Sequence, residues 1–217
     1  MLRAALTMLA VSTLTACGTL APSRVGAPSG AIPAIPAIPT IPGSATTPSP
    51  ELQSRYAGLL GRLESGDTAA MTDLTKFSAE HPELAGPLLT LGLARARDGD
   101  EAGARTLFER ASTVCSRCGP VWNQLGILDR QQGRFADAEQ AYRRAIELEP
   151  GYATAYFNLA VLYELYIPRP DLALENYERY LQAGGKAGDG QDVKKWVADL
   201  RRRGSGTPKA ARVEEPT

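Results

Sequence analysis

The sequence predicts an all-α protein of about four stacked helix–turn–helix units closed by one further helix. Three observations point there. Residues of matching size and polarity recur in phase every 34 positions through residues 51–187, with one inserted residue in the last unit. Glycine and alanine stand where the two helices of a unit must cross closely, as at Gly126 and Ala138. After the last unit, Val193, Trp196, Val197 and Leu200 follow the i, i+3, i+4, i+7 spacing of an amphipathic helix. Units of this length bury their apolar faces only by stacking, and the final exposed face needs a cover.

Composition narrows the function. The chain has 217 residues, with 24 Lys+Arg balancing 24 Asp+Glu. A nucleic-acid binder needs a basic face to displace phosphate counterions, and zero net charge argues against one. A single histidine, His81, excludes multi-histidine metal sites.

Residues 1–16 read as an export signal. Arg3 supplies a positive start, and the apolar run from Ala4 to Leu14 is too short for a bilayer span, which needs about 20 residues. The run ends in Leu14-Thr15-Ala16-Cys17, which resembles the lipobox of bacterial lipoproteins. That resemblance implies cleavage before Cys17, acylation of its thiol, and firm anchoring, since several acyl chains hold where one does not. An ordinary secretory signal with an incidental cysteine is the alternative. Gly18 after the cysteine, where an aspartate would retain the protein in the inner membrane, implies an outer-membrane lipoprotein facing the periplasm.

Residues 17–50 form a linker. It holds eight of the sixteen prolines and one charged residue, Arg24, and its centre from Ala31 to Pro42 places proline at every third position. Proline at that spacing forbids α-helix and matches the polyproline II turn. A semi-rigid spacer is the plain reading, and a docking strip for a partner or for cell wall is the sharper one.

The clearest helical unit runs from Gly119 to Tyr152. Trp122, Leu125, Gly126, Ala138, Tyr142, Ala145 and Pro150 stand at set intervals within it. Trp122, Leu125 and Gly126 share one face of a first helix, Gly133-Arg134 makes the turn, and Pro150 ends the second helix. This pattern resembles the tetratricopeptide repeat (TPR), with Asp129 standing where that family usually has tyrosine. The preceding unit, 85–118, repeats it with Leu88, Leu91, Gly92, Ala104, Phe108 and Ala111, but has Ser116 in place of the closing proline. The first unit, 51–84, keeps Ala70, Leu74, Phe77 and Pro82. The fourth, 153–187, has Tyr156, Leu159, Ala160 and Tyr163, then Ala173 and Tyr177 after an insertion within Tyr166–Pro170. Residues 188–203 are the capping helix, and 204–217, without apolar periodicity, a tail.

The resemblance implies a concave surface made by the first helix of each unit. Its lining would be Leu89, Leu93, Ala96 and Arg97, then Asn123, Ile127, Arg130 and Gln131, then Phe157, Asn158, Val161 and Glu164. The family's carboxylate clamp uses a cluster of Lys, Arg and Asn. Here Asn123, Arg130 and Asn158 are isolated among apolar positions, so an extended or helical peptide with an apolar stripe fits better. Packing against neighbouring repeats or the cap is the alternative for some of these residues. Tyr166 and Tyr180 fall outside the consensus slots and are candidates for an interaction surface.

Cys115-Ser116-Arg117-Cys118 closes the second unit's second helix. A zinc site needs two further ligands and a c-type haem needs a histidine after the pair; neither is present. A structural disulfide is the expected state in an oxidising compartment, with free thiols or a redox pair as alternatives. No G-x-S-x-G, G-x-x-x-x-G-K-[ST] or H-E-x-x-H motif occurs, and neither enzymatic activity, a cofactor nor a metal is expected. The sequence therefore reads as a lipid-anchored adaptor binding an envelope protein in an assembly of the pilus, secretion or Tol/Ton type. A thiol-redox protein and a wall-associated spacer are the alternatives.

Overall fold

The computed structural model describes residues 48–185 and 190–205. The expected export signal at residues 1–16, Cys17, the Ile-Pro run and residues 206–217 lie outside them. The described chain contains helices and turns with no strand: α1 (Pro50–Glu64), α2 (Ala69–Glu80), α3 (Ala85–Arg97), α4 (Glu101–Val114), α5 (Gly119–Gln131), α6 (Phe135–Leu148), α7 (Ala153–Leu165), α8 (Pro170–Gln182) and α9 (Gly190–Ser205). Helices α3, α5 and α7 begin 34 residues apart, at Ala85, Gly119 and Ala153. The extra residue of the fourth unit is absorbed before α8, where the Ile167 and Arg169 amides donate to the Leu162 and Tyr163 carbonyls, at 2.9 Å each.

Two expected boundaries move. The linker does not run to residue 50, because Ser49 caps α1, its hydroxyl accepting from the Leu52 amide at 3.2 Å. Pro50 then opens the helix where its missing N–H costs nothing. At the other end α9 continues through Ser205 rather than stopping at 203.

The second and third units each close at one crossing point. A Cβ on Gly126 would lie 2.7 Å from the Tyr142 ring, and one on Gly92 would stand inside contact distance of Phe108. Tyr142 and Phe108 are 0 % and 1 % exposed, and the facing Ala138 and Ala104 are wholly buried. The turn after α5 passes through Gly133 at φ +75°, a left-handed conformation that glycine adopts without cost. Between the first and second units, the Tyr56 hydroxyl meets Thr90 Oγ1 at 2.6 Å, joining α1 to α3. The capping helix buries Val193, Val197 and Leu200 against the last unit. Tyr180, a candidate surface residue by sequence, is only 3 % exposed and belongs to this core.

The cysteines join in a disulfide between α4 and α5. Both are buried, and the turn they span recurs in the neighbouring units. The amides of Leu84, Cys118 and Tyr152 donate to the carbonyls of His81, Cys115 and Glu149 at 3.1, 3.2 and 2.9 Å. The outer two turns contain Pro82 and Pro150; the middle one has Ser116 and the disulfide. The bridge thus restrains the turn that lacks the proline.

Three outcomes follow. Gly126→Ala is expected to lower stability by about 1–3 kcal/mol through overpacking against Tyr142, measured by thermal unfolding followed by circular dichroism. Cys115→Ser with Cys118→Ser is expected to cost about 2 kcal/mol, the chain-entropy value for so short a loop, while the helical spectrum at 25 °C stays that of the parent. Burial pushes the Tyr56 phenol up from 10.0 to about 12, against the smaller opposing effect of its Thr90 hydrogen bond. Its contribution to stability is therefore full below pH 10 and is lost as pH rises toward 12. Tyr56→Phe is expected to flatten that alkaline loss in a pH series of denaturant midpoints.

Candidate protein-binding face

The three first helices α3, α5 and α7 carry their side chains in register, so residues 34 apart form rows across them. The row Leu89, Asn123 and Phe157 is turned into the packing. Leu89 is 7 % and Asn123 0 % exposed. Asn123 Oδ1 accepts from Asn158 Nδ2 at 2.8 Å, while its own Nδ2 is buried without a partner among the described residues. The Phe157 ring stands 5.4, 6.0 and 6.3 Å from those of Tyr180, Tyr177 and Trp196, which makes it part of the cap interface. The expectation that Leu89 and Asn123 face a ligand is corrected: both side chains are buried, Asn123 where α5 packs directly against α7, whereas Phe157 and Asn158 are half-buried.

The neighbouring rows stay accessible. Leu93, Ile127 and Val161, one helical turn further along, form an apolar stripe that is half-buried at every position. Beyond it lie Arg97, Gln131 and Leu165, all exposed, Leu165 at 59 %. Arg130 lies beside this row, half-buried. Its Nε donates to the Tyr142 hydroxyl and its Nη1 to that of Tyr166, at 3.3 Å each. Its guanidinium carbon sits 5.5 Å from the Tyr166 ring centre, close enough for cation–π attraction. Burial lowers its pKa, yet the two phenols outweigh burial and hold it above the ordinary arginine value. The group stays cationic.

Electrostatics separates this face from the rest of the surface. On the first helices α3, α5 and α7, Arg95 is paired with Asp100 at 3.1 Å, whereas neither Arg97 nor Arg130 has a carboxylate within 4.0 Å among the described residues. Glu164, the acid of α7 on this side, is held by the Tyr177 hydroxyl at 2.8 Å and by Arg203 at 3.4 Å. The face is an apolar stripe edged by two uncompensated guanidinium groups.

Sequence reasoning missed Leu165 as a lining residue, although it stands 34 places after Gln131, which was in the expected set. Tyr166, 39 % exposed, packs with its ring tilted against that of Phe135, 5.1 Å between centres, at the end of the same face. Its place outside the consensus was the signal for it. No group of three or more His, Cys, Asp or Glu side chains able to hold a metal occurs among the described residues.

Comparison with known proteins agrees with the architecture. The family described as TPR repeat matches residues 126–165. The peroxisomal targeting signal receptor of Saccharomyces cerevisiae is 37 % identical over 73 residues, which is 34 % of this chain and 12 % of that protein. Among solved structures, PilF of Pseudomonas aeruginosa superposes with a TM-score of 0.60 at 24 % identity, covering 71 % of this chain and 70 % of that one. A thermophilic TPR protein of Thermus thermophilus gives 0.54 at 23 % identity, covering 70 % and 81 %. The phase of the repeats, the glycine–aromatic crossings and the stacked helix pairs agree with these matches: the described residues form an α-solenoid with the fold of tetratricopeptide-repeat proteins, and the TPR repeat family itself matches residues 126–165.

Proposed function

We propose that this solenoid is an adaptor that binds a segment of a partner protein along the face of α3, α5 and α7, and that it works in an envelope assembly while tethered by a lipid on Cys17. The observation that carries the binding reading is the stripe Leu93–Ile127–Val161 flanked by Arg97 and Arg130. An apolar row with unpaired cations beside it accommodates a peptide that presents apolar side chains on one side and carboxylates on the other. The apolar contact supplies most of the affinity, and the charges set register and partner choice.

The envelope location rests on the lipobox-like Leu14-Thr15-Ala16-Cys17, and a disulfide at Cys115–Cys118 suits an oxidising compartment. Pilus, secretion and Tol/Ton-type assemblies are the settings in which such an adaptor would act. The thiol-redox alternative fares worse. Cys115 and Cys118 are 2 % and 4 % exposed, and exchange requires an attacking thiolate to reach a sulfur.

Asn123 is unsuitable for testing the face because it is wholly buried, and Phe157 because its ring also packs against the cap. Arg97→Glu with Leu165→Asp changes exposed groups only. In a crosslinked pull-down from the native envelope, the parent is expected to recover a protein that this variant loses, while both melt at the same temperature. Equal recovery would remove the inner face as the working surface. The parent is expected to incorporate a palmitate label that Cys17→Ser loses; an unlabelled parent, or a label kept by Cys17→Ser, would overturn the lipid anchor.

A further inference from the structure

The cap delivers the chain that follows it to the inner face. Arg203, near the end of α9, reaches Glu164 at 3.4 Å, and Glu164 is the residue before Leu165 on α7. Among the described residues the exposed large apolar side chains are Leu165 and Tyr166. The chain leaving Ser205 therefore starts beside the bare apolar end of the proposed binding face.

Residues 206–217 lie outside the described residues, and their length can be set against that face. Packed helices stand about 8–10 Å apart, so α5 is one such spacing from α7, and α3 is two. Eight residues from Ser205 bring Val213 up to about 26 Å away, and ten bring Glu215 up to about 33 Å. Both α5 and α3 are within reach without full extension.

The charges match in register. On the face, Arg95 is paired with Asp100, Asp98 lines the groove on the other side between α2, α3 and α4, and Glu101 accepts from Gln132 Nε2 at 2.7 Å. The groups in question are therefore Glu164 over α7, Arg130 over α5 and Arg97 over α3, and Arg130 is already bonded to two phenols. The charged residues of 206–217 are Lys209, Arg212, Glu214 and Glu215. Side chains of an extended chain alternate, so Lys209, Ala211, Val213 and Glu215 share one side, with Arg212 and Glu214 together on the other. Lys209 and Glu215 are then about 20 Å apart, the distance from α7 to α3. One side thus carries a cation, two apolar groups and a carboxylate, spaced as the face spaces its acid, its stripe and its arginine.

We propose that residues 209–215 lie across the inner face of their own solenoid, from α7 to α3, and close it to a partner until displaced. This regulates the site proposed above and rests on that reading. Lys209 stands at Glu164, whose carboxylate has acceptor capacity beyond Tyr177 and Arg203. Val213 covers the Leu93–Ile127–Val161 stripe, and Glu215 meets Arg97. Arg212 and Glu214 face solvent and balance each other. A segment tethered this closely competes at a millimolar effective concentration, so a contact that is weak for a free peptide suffices to fill the face.

The test uses the full chain and two variants whose substitutions leave every described residue untouched. Val213→Asp with Glu215→Lys spoils the side that meets the face, and Arg212→Gln with Glu214→Gln alters the other. In nitrogen–proton correlation spectra the first is expected to shift the amides of Leu93, Ile127, Val161 and Leu165, and the second to leave them in place. Shifts of the first variant confined to residues 205–217, or equal shifts of the face in the second, overturn the proposal. As a probe in trans, a capped peptide of residues 206–217 is expected to bind Val213→Asp with Glu215→Lys roughly threefold or more tighter than the parent, whose own segment excludes it. Equal binding to both, or binding to neither at millimolar peptide, overturns it as well. The spectra need no partner, so the two readings fail separately. Absent shifts beside a partner still lost from Arg97→Glu with Leu165→Asp overturn the segment and keep the face.

Discussion

The close crossing of two helices over a glycine is the constraint on which the rest of this solenoid depends. In the second and third units an aromatic ring from the second helix, Phe108 and Tyr142, lies where Gly92 and Gly126 have no side chain. That seats the ring at almost zero exposure, a burial worth several kcal/mol per unit. The crossing also fixes the rotation of the first helix about its own axis. Once Gly126 faces Tyr142, the residues one and two steps around the helix have no freedom in where they point. The row of Leu93, Ile127 and Val161 is aligned for that reason, and not because each was placed separately.

Stacking then decides which of those rows remains usable. The row nearest the seam between units is consumed, with Asn123 bonded to Asn158 and Phe157 drawn under Trp196 of the cap. The cap ends the solenoid by supplying Val193, Val197 and Leu200 where a fifth unit would otherwise continue. Its basic end also reaches back, Arg201 to Glu178 at 2.7 Å and Arg203 to Glu164 at 3.4 Å. The acid of α7 is thereby committed within the fold, and the inner face is left with its two arginines.

Departures from the repeat carry the individuality of the molecule. Where Ser116 replaces a proline, a disulfide holds the same turn. Where Asp129 replaces a tyrosine, the carboxylate makes a half-sheltered link to Arg105 and Arg134.

The sequence by itself determined the helix pairs, their phase and the cap, because each follows from short-range spacing. A glycine opposite an aromatic, a turn glycine and an i, i+3, i+4, i+7 stripe are local signals that survive without knowing what lies beside them. The same phase pointed to the right helices for the binding face, but it could not separate Asn123 from Ile127. Those two differ by only one helical turn on α5, and their exposure depends on how near α7 approaches. Tertiary structure alone decided that Phe157 belongs to the cap, that Tyr180 is core while Tyr166 is exposed, and that Asp129 is held by Arg105. Each of these depends on a neighbour at least 12 residues away in the chain, at a distance no single-helix pattern encodes.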